Sequence, residues 1–123
     1  MRIVNVTLSG TPKEGDEILV HYCDPRGGRT TAGHTVTLVE EPIDAETFRR
    51  RPETLTEIVN WLVGSASMQF CKMREGIGAF GVKARGNILR IEVRDEVESV
   101  VFVTEVRSAT NEPCKVTAEI TEL

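Results

Sequence analysis

The chain has 123 residues, 28% of them charged and 40% hydrophobic, with a formal net charge of −4. That is one domain's worth of core, with no apolar run near the roughly 18 residues that span a bilayer and no secretion signal following Met1-Arg2-Ile3-Val4-Asn5, so synthesis in the cytoplasm is expected. The acidic balance and an aromatic content of only 5% argue against a duplex-binding surface or a row of base-stacking platforms, and point to protein, not nucleic acid or membrane, as the partner.

Arg2 to Ser9 alternates, with Val4, Val6 and Leu8 on one face and Asn5, Thr7 and Ser9 on the other, which predicts a half-buried strand. Gly10 to Asp16 is a polar, glycine-bracketed loop, and Glu17 to Asp24 reads as a second strand expected to pair with the first as a long-turned hairpin. Pro25-Arg26-Gly27-Gly28-Arg29 is a connection, after which Thr30 to Glu40 is a third strand with Val36 and Leu38 opposite Thr35, Thr37 and Val39. Glu41 to Pro52 breaks the pattern. Pro42 and Pro52 bracket a stretch that can make one helical turn capped by Asp44, an insertion ahead of the main helix. Arg49-Arg50-Arg51 could clamp a phosphate, but among so many acids it reads as a solvated rim.

Thr54 to Gly76 is the organising segment. Leu55, Ile58, Val59, Leu62, Ala66, Phe70 and Met73 recur at three- and four-residue steps, the spacing that aligns side chains on one helix face. Thr54 and Glu57 form a capping-box pattern, and Gly76 supplies a left-handed stop. A lone amphipathic helix among strands is expected to cover a sheet. Beyond it, Ala79 to Arg85 and Ile88 to Arg94 form a hairpin through Arg85-Gly86-Asn87, with Leu89, Ile91 and Val93 inward. Asp95 to Glu98 is a turn, Ser99 to Arg107 a strong strand, Ser108 to Pro113 a polar loop, and Cys114 to Thr121 the last strand. The expectation is a single α+β domain over 1–123: an antiparallel sheet or sandwich of about seven strands with one helix, 54–75, packed on it.

Candidate chemistry is thin. His21 and Cys23 share a side of their strand, but His34 and Asp24 complete no zinc spacing, so neither metal nor cofactor is expected. Gly76, Gly78 and Gly81 follow a helix and precede a strand, the reverse of a phosphate-binding loop. No GxSxG or HExxH occurs, so no catalytic residue is assigned; an enzyme would need polar groups converging near His21 or His34. Cys23, Cys71 and Cys114 permit at most one intrachain disulfide. Buried reduced thiols are the plain reading and cross-linking of an assembly the sharper one. Cys114 is placed on the core side of its strand, and Cys71, off the apolar stripe, is the best candidate for an exposed thiol.

The run IVNVTLSGTPKEGDEILVHY, the helix start ETLTEIVNWLV and the later FGVKARGNILRIEV together resemble a β-rich module of tailed-bacteriophage virion proteins, including inserted domains of contractile tail sheaths. Gly10-Thr11 with Gly15-Asp16, Glu53-Thr54-Leu55 with Ile58, and Val82, Ala84, Gly86-Asn87 and Ile88 carry the likeness, over residues 3 to 94. The chain departs from the module in segment 41–52, in Trp61 and in its cysteines. The resemblance implies a non-enzymatic virion component present in many symmetric copies: a capsid decoration or linking subunit, with a tail or neck component as the alternative. A cytoplasmic protein-binding or regulatory domain is the reading from a different class. Polar loops would then grip neighbours, with Lys13, Glu14, Arg26, Arg29, Phe48, Arg49, Arg50, Arg51 and Asn111 as candidate contacts. Cys71, Cys23 and Cys114 are candidates for intersubunit disulfides formed after release from the reducing host.

Overall fold

Alternation places most of the strands correctly. Val4, Val6 and Leu8 of β1 (Arg2–Gly10) and Leu89, Ile91 and Val93 of β7 (Ile88–Val93) are all buried, while the residues between them are not. The computed structural model describes residues 2–23, 25, 27–70, 80–94 and 100–123. β7 pairs with β6 (Phe80–Arg85) and with β1, and β1 pairs on its other side with β9 (Val116–Glu122), giving an antiparallel sheet in the order β6-β7-β1-β9. A second antiparallel sheet, β3-β2-β8, is built from β3 (Arg29–Thr35), β2 (Glu17–Cys23) and β8 (Val101–Arg107). Every residue from Ile18 to Tyr22 in the middle strand is buried, with Ile18, Val20 and Tyr22 facing the core.

The helix α1 (Leu55–Phe70) starts as expected: Thr54 Oγ1 accepts the Glu57 amide at 3.2 Å and Glu57 Oε1 accepts the Thr54 amide at 2.9 Å. Its stripe of Ile58, Val59, Leu62, Ala66 and Phe70 is buried, the four larger side chains contributing about 1.5–3 kcal/mol each. The helix packs mainly on β3 and β6, while β8 and β9 meet at the opposite side, where the Thr104 hydroxyl donates to the Ala118 carbonyl at 2.8 Å. One side of the sandwich is thus closed by strands and the other by the helix. Ser65 Oγ takes the Gly33 amide at 3.0 Å, so α1 also occupies the free edge of β3, an edge that would otherwise invite pairing with another chain. Tyr22, Phe70 and Phe102 form the aromatic centre, with ring centroids 5.8 to 6.0 Å apart.

The architecture is α+β and antiparallel, with nine strands among the described residues where about seven were expected. The two extra strands come from segment 38–52. The third strand ends at Thr35: Val36 is buried, but Leu38, expected on the same inward face, is turned outward. The chain then forms β4 (Leu38–Pro42) and β5 (Phe48–Pro52), an antiparallel pair where a loop with one helical turn was expected. β1 and β2 do not form a hairpin either. Both carry inward apolar rows, and the chain uses 11–16 to cross the gap of about 10 Å between packed sheets. Gly10, at φ +92°, makes that departure: a Cβ there would sit 1.9 Å from the Lys115 carbonyl oxygen. The β6–β7 hairpin is as expected, with Gly86 at φ +60° opening a two-residue turn and Asn87 bonded through its backbone and Nδ2 to Leu8. Met73, the Gly76 stop and the 95–98 turn lie outside the described residues.

Candidate assembly interface

Segment 38–52 stands apart because its strands pack chiefly against each other. Glu40 faces Arg50 and Glu41 faces Arg49 across the pair, and opposite charges in directly opposed positions favour this register. Arg49 lies 2.9 Å from Glu41 and Arg50 3.6 Å from Glu40, so the arginine run is ion-paired within the hairpin. The turn is made by Asp44, whose Oδ1 accepts the amides of Glu46 at 2.9 Å and Thr47 at 2.8 Å. Those bonds, the Glu46 amide first, hold the carboxyl below its usual range and keep it charged. Asp44 is therefore a cap, as expected, but of a hairpin turn. Residues 42–50 are all exposed, and Ile43 and Phe48 at the tip are 59% and 60% exposed.

The base of this arm is clamped. The Glu53 amide donates to the Thr37 carbonyl at 3.1 Å, and Glu53 Oε1 receives the Thr37 amide at 2.8 Å, the Thr37 hydroxyl at 3.0 Å and His34 Nε2 at 2.8 Å. Burial pushes the Glu53 carboxyl up, but the Thr37 amide, His34 and the Thr37 hydroxyl together pull it below its ordinary value. His34 in turn lies stacked on Trp61, centroids 5.5 Å apart and planes 4° off parallel. Arg51 leaves the arm to reach Glu57 at 2.6 Å, tying β5 to the cap of α1 and, with the Thr54 amide, holding the Glu57 carboxyl at about 2.

Beside the base opens a cavity of about 300 Å³ between the two inter-sheet crossings, lined by Pro12, Pro52 and Pro113 with Lys13, Glu112 and Lys115. Lys13 Nζ reaches Thr110 at 3.3 Å and Glu112 at 3.4 Å. Beneath it, the Thr11 amide bonds the Lys115 carbonyl at 3.2 Å and buried Asp16 accepts the Lys13 amide at 3.0 Å, so the wall is fixed. A second, more open cavity of about 320 Å³ lies along the helix between Trp61, Met68 and His34.

No family model, curated protein or solved structure matches the chain. Of the residues singled out in the sequence, Phe48, Arg49, Arg50 and Arg51 are brought together on the arm, and Lys13 lies at the mouth of the cavity near its base. Glu14 and Asn111 are exposed on the two crossings, and Arg29 is on the far face of the second sheet. Cys23 and Cys114 are half-buried free thiols, Cys114 Sγ lying 3.9 Å from Asp16 Oδ1. Arg26 and Cys71 lie outside the described residues.

His21 sits in a polar row on that far face: Nδ1 is 2.7 Å from Thr31 Oγ1, and Nε2 is 3.0 Å from Glu105 and 2.9 Å from Arg29 Nη2. Hydroxyl, imidazole and carboxylate in line are the parts of a nucleophilic relay. Here, however, Nε2 is shared between an acid and a guanidinium, and the row lies across the flat rungs of β3-β2-β8. Arg107 first, then His21, hold the Glu105 carboxyl at about 2, completing a charge ladder that laces the sheet. Among the described residues no group of three His, Cys, Asp or Glu gathers to hold a metal. Ile43 and Lys115 were not singled out in the sequence, and Pro52 and Glu53 were read only as a bracket of the insertion and part of the helix start; the signal available for the arm was that Glu40-Glu41 and Arg49-Arg50 stand at mirror positions about Ala45.

Proposed function

We propose that this chain is a non-enzymatic structural subunit of a bacteriophage particle, of the decoration or linking type, which holds its neighbours through the β4–β5 arm. The observation that carries this reading is the arm itself: two strands clamped at the base by Glu53 and Arg51, exposed from residue 42 to residue 50, and ending in Ile43 and Phe48. An isolated hairpin is marginally stable, and a rigid one with an uncovered apolar tip suits insertion into a neighbour better than any role inside its own fold. The virion assignment rests on the resemblance, several of whose residues stand at turns and caps: Gly10 at the sheet crossing, Thr54 at the helix start, Gly86 and Asn87 at the hairpin.

Mass spectrometry of phage particles purified from lysates in which the chain is expressed tests the reading. The expected result is this chain at a fixed ratio to the main shell protein, and loss of incorporation when 39–51 is replaced by a short Gly-Ser turn that leaves the circular dichroism spectrum intact. Absence of the chain from the particles overturns the assignment. Nonreducing electrophoresis of the same particles reads the disulfide part separately: bands above the monomer that collapse on reduction support intersubunit links, and monomer alone ends that part.

A further inference from the structure

The arm tip and the proline-lined cavity complement each other in size, polarity and charge. We propose that the tip of one copy enters the cavity of a second copy, joining chains head to tail; this rests on the reading of the chain as an assembly subunit and names the contact it makes. The cavity, about 300 Å³, is at the small end of the range for ligand pockets, about 300–1,000 Å³, which suits one or two side chains and not an extended partner. Its three prolines present apolar rings without amide donors, a surface on which an aromatic side chain such as Phe48 stacks.

Charge points the same way. The tip carries Asp44, whose charge is fixed by the turn, and Glu46, which forms no ion pair among the described residues. The cavity rim carries Lys13, already paired with Glu112 at 3.4 Å, and Lys115, which is exposed with no ion-pair partner among the described residues. Glu46 against Lys115 is the pairing that leaves neither charge idle.

Geometry makes the contact intermolecular. Pro52, which lines the cavity, pairs with Leu38 at the base of the arm, whereas Pro42 and Phe48 pair at its far end. Four residue steps at about 3.3 Å each put Phe48 roughly 13 Å from Pro52 and its own cavity, and a paired hairpin cannot fold back on itself. A tip-to-base contact uses two different surfaces, so it propagates as a ring or a filament and not as a closed two-fold dimer. One tip buries too little area for a tight complex. Each contact is accordingly weak alone and effective when many copies are held together.

The test uses the full chain with p-benzoylphenylalanine at position 48, prepared as a mixture of heavy- and light-isotope protein. Photo-cross-links between heavy and light chains to residues 11–13, 52 or 112–115 are expected. Phe48→Asp should weaken self-association in sedimentation velocity by about tenfold or more, the loss expected when a buried aromatic is removed from a contact. Glu46→Lys and Lys115→Glu should each weaken it, and the two together should restore it. Cross-links to other residues, or only within one chain, overturn the inference, as does a double charge swap no better than the singles. Chains that enter particles but give none of these cross-links overturn the tip-to-cavity contact alone; chains that give the cross-links but are missing from particles overturn the virion reading alone.

Discussion

Two hairpins in this chain use antiparallel pairing in opposite ways. β6–β7 turns in two residues at Gly86-Asn87, buries Leu89, Ile91 and Val93, and is bonded to β1 through Asn87. β4–β5 turns through five residues around Asp44, buries neither face, and replaces apolar rungs with Glu–Arg pairs. The first is held by what it covers. The second is held to the body at its base, where Glu53 and Arg51 tie it down. Strand pairing alone therefore does not say whether a hairpin supports the fold; the burial of alternate side chains does. A hairpin released from the core is free to present its tip elsewhere.

Identical surgery on the two hairpins should separate them most widely. Ile91→Ala, at a fully buried position of β7, is expected to destabilise the protein by about 2–5 kcal/mol, because the core loses the transferred side chain and retains part of the cavity. Phe48→Ala, at the exposed arm tip, should stay within about 0.5 kcal/mol. Urea denaturation followed by circular dichroism measures both. Comparable losses would mean that the arm tip packs on the body, and the contrast between the hairpins would fail.

The next effect is at the joint between arm and body. Glu53→Gln keeps the shape but exchanges a carboxylate that collects three donors on one oxygen for a neutral acceptor, at a cost of about 1 kcal/mol near pH 7. The pH dependence has a fixed sign. The Glu53 carboxyl lies below its ordinary 4.5 in the folded chain, so its contribution is present above pH 4.5 and is lost as the pH falls through the folded value. Glu57 behaves likewise, between 4.5 and about 2. The difference between wild type and Glu53→Gln isolates Glu53, and that difference should shrink below pH 4.5. A gap that stays constant or widens on acidification would show that Glu53 does not clamp the arm as a charged group.

The same contrast explains what the sequence made legible. Where a face is buried, hydrophobic period is informative, and β1, β7 and the stripe of α1 were read to within a residue or two from Val4, Val6, Leu8, Leu89, Ile91 and Ile58 to Phe70. The capping box of Thr54 and Glu57 was legible because it is local. The pairing of β1 with β2 was misread because alternation places side chains on a face without saying which sheet owns the strand. The arm was misread because its strands bury nothing: Glu40, Glu41, Arg49 and Arg50 carry no hydrophobic period, and Asp44 caps a hairpin turn as readily as a helical one. The cavity was illegible for another reason. Pro12, Pro52 and Pro113 are far apart in the chain and meet only because the two sheet crossings and the end of β5 come together.

The smallest expected effect distinguishes a pair that decorates the arm from one that anchors it. Arg50 and Glu40 lie 3.6 Å apart with side chains 69% and 65% exposed, so Arg50→Ala should shift stability by no more than a few tenths of a kcal/mol, as exposed pairs do. Arg51 is different in connection more than in strength. It bonds Glu57 at 2.6 Å, and Glu57 already accepts the Thr54 amide, so the guanidinium joins β5 to the first turn of the helix. Arg51→Ala should therefore leave the core amides protected but speed hydrogen exchange in the arm, at Val39 and Glu41 above all, while Arg50→Ala leaves those rates unchanged. Raising the salt concentration screens the open Arg50 pair first and the half-buried Arg51 pair less. Should both variants loosen the arm equally, its stiffness would come from the cross-strand ladder, and the anchor at Glu57 would have no separate role.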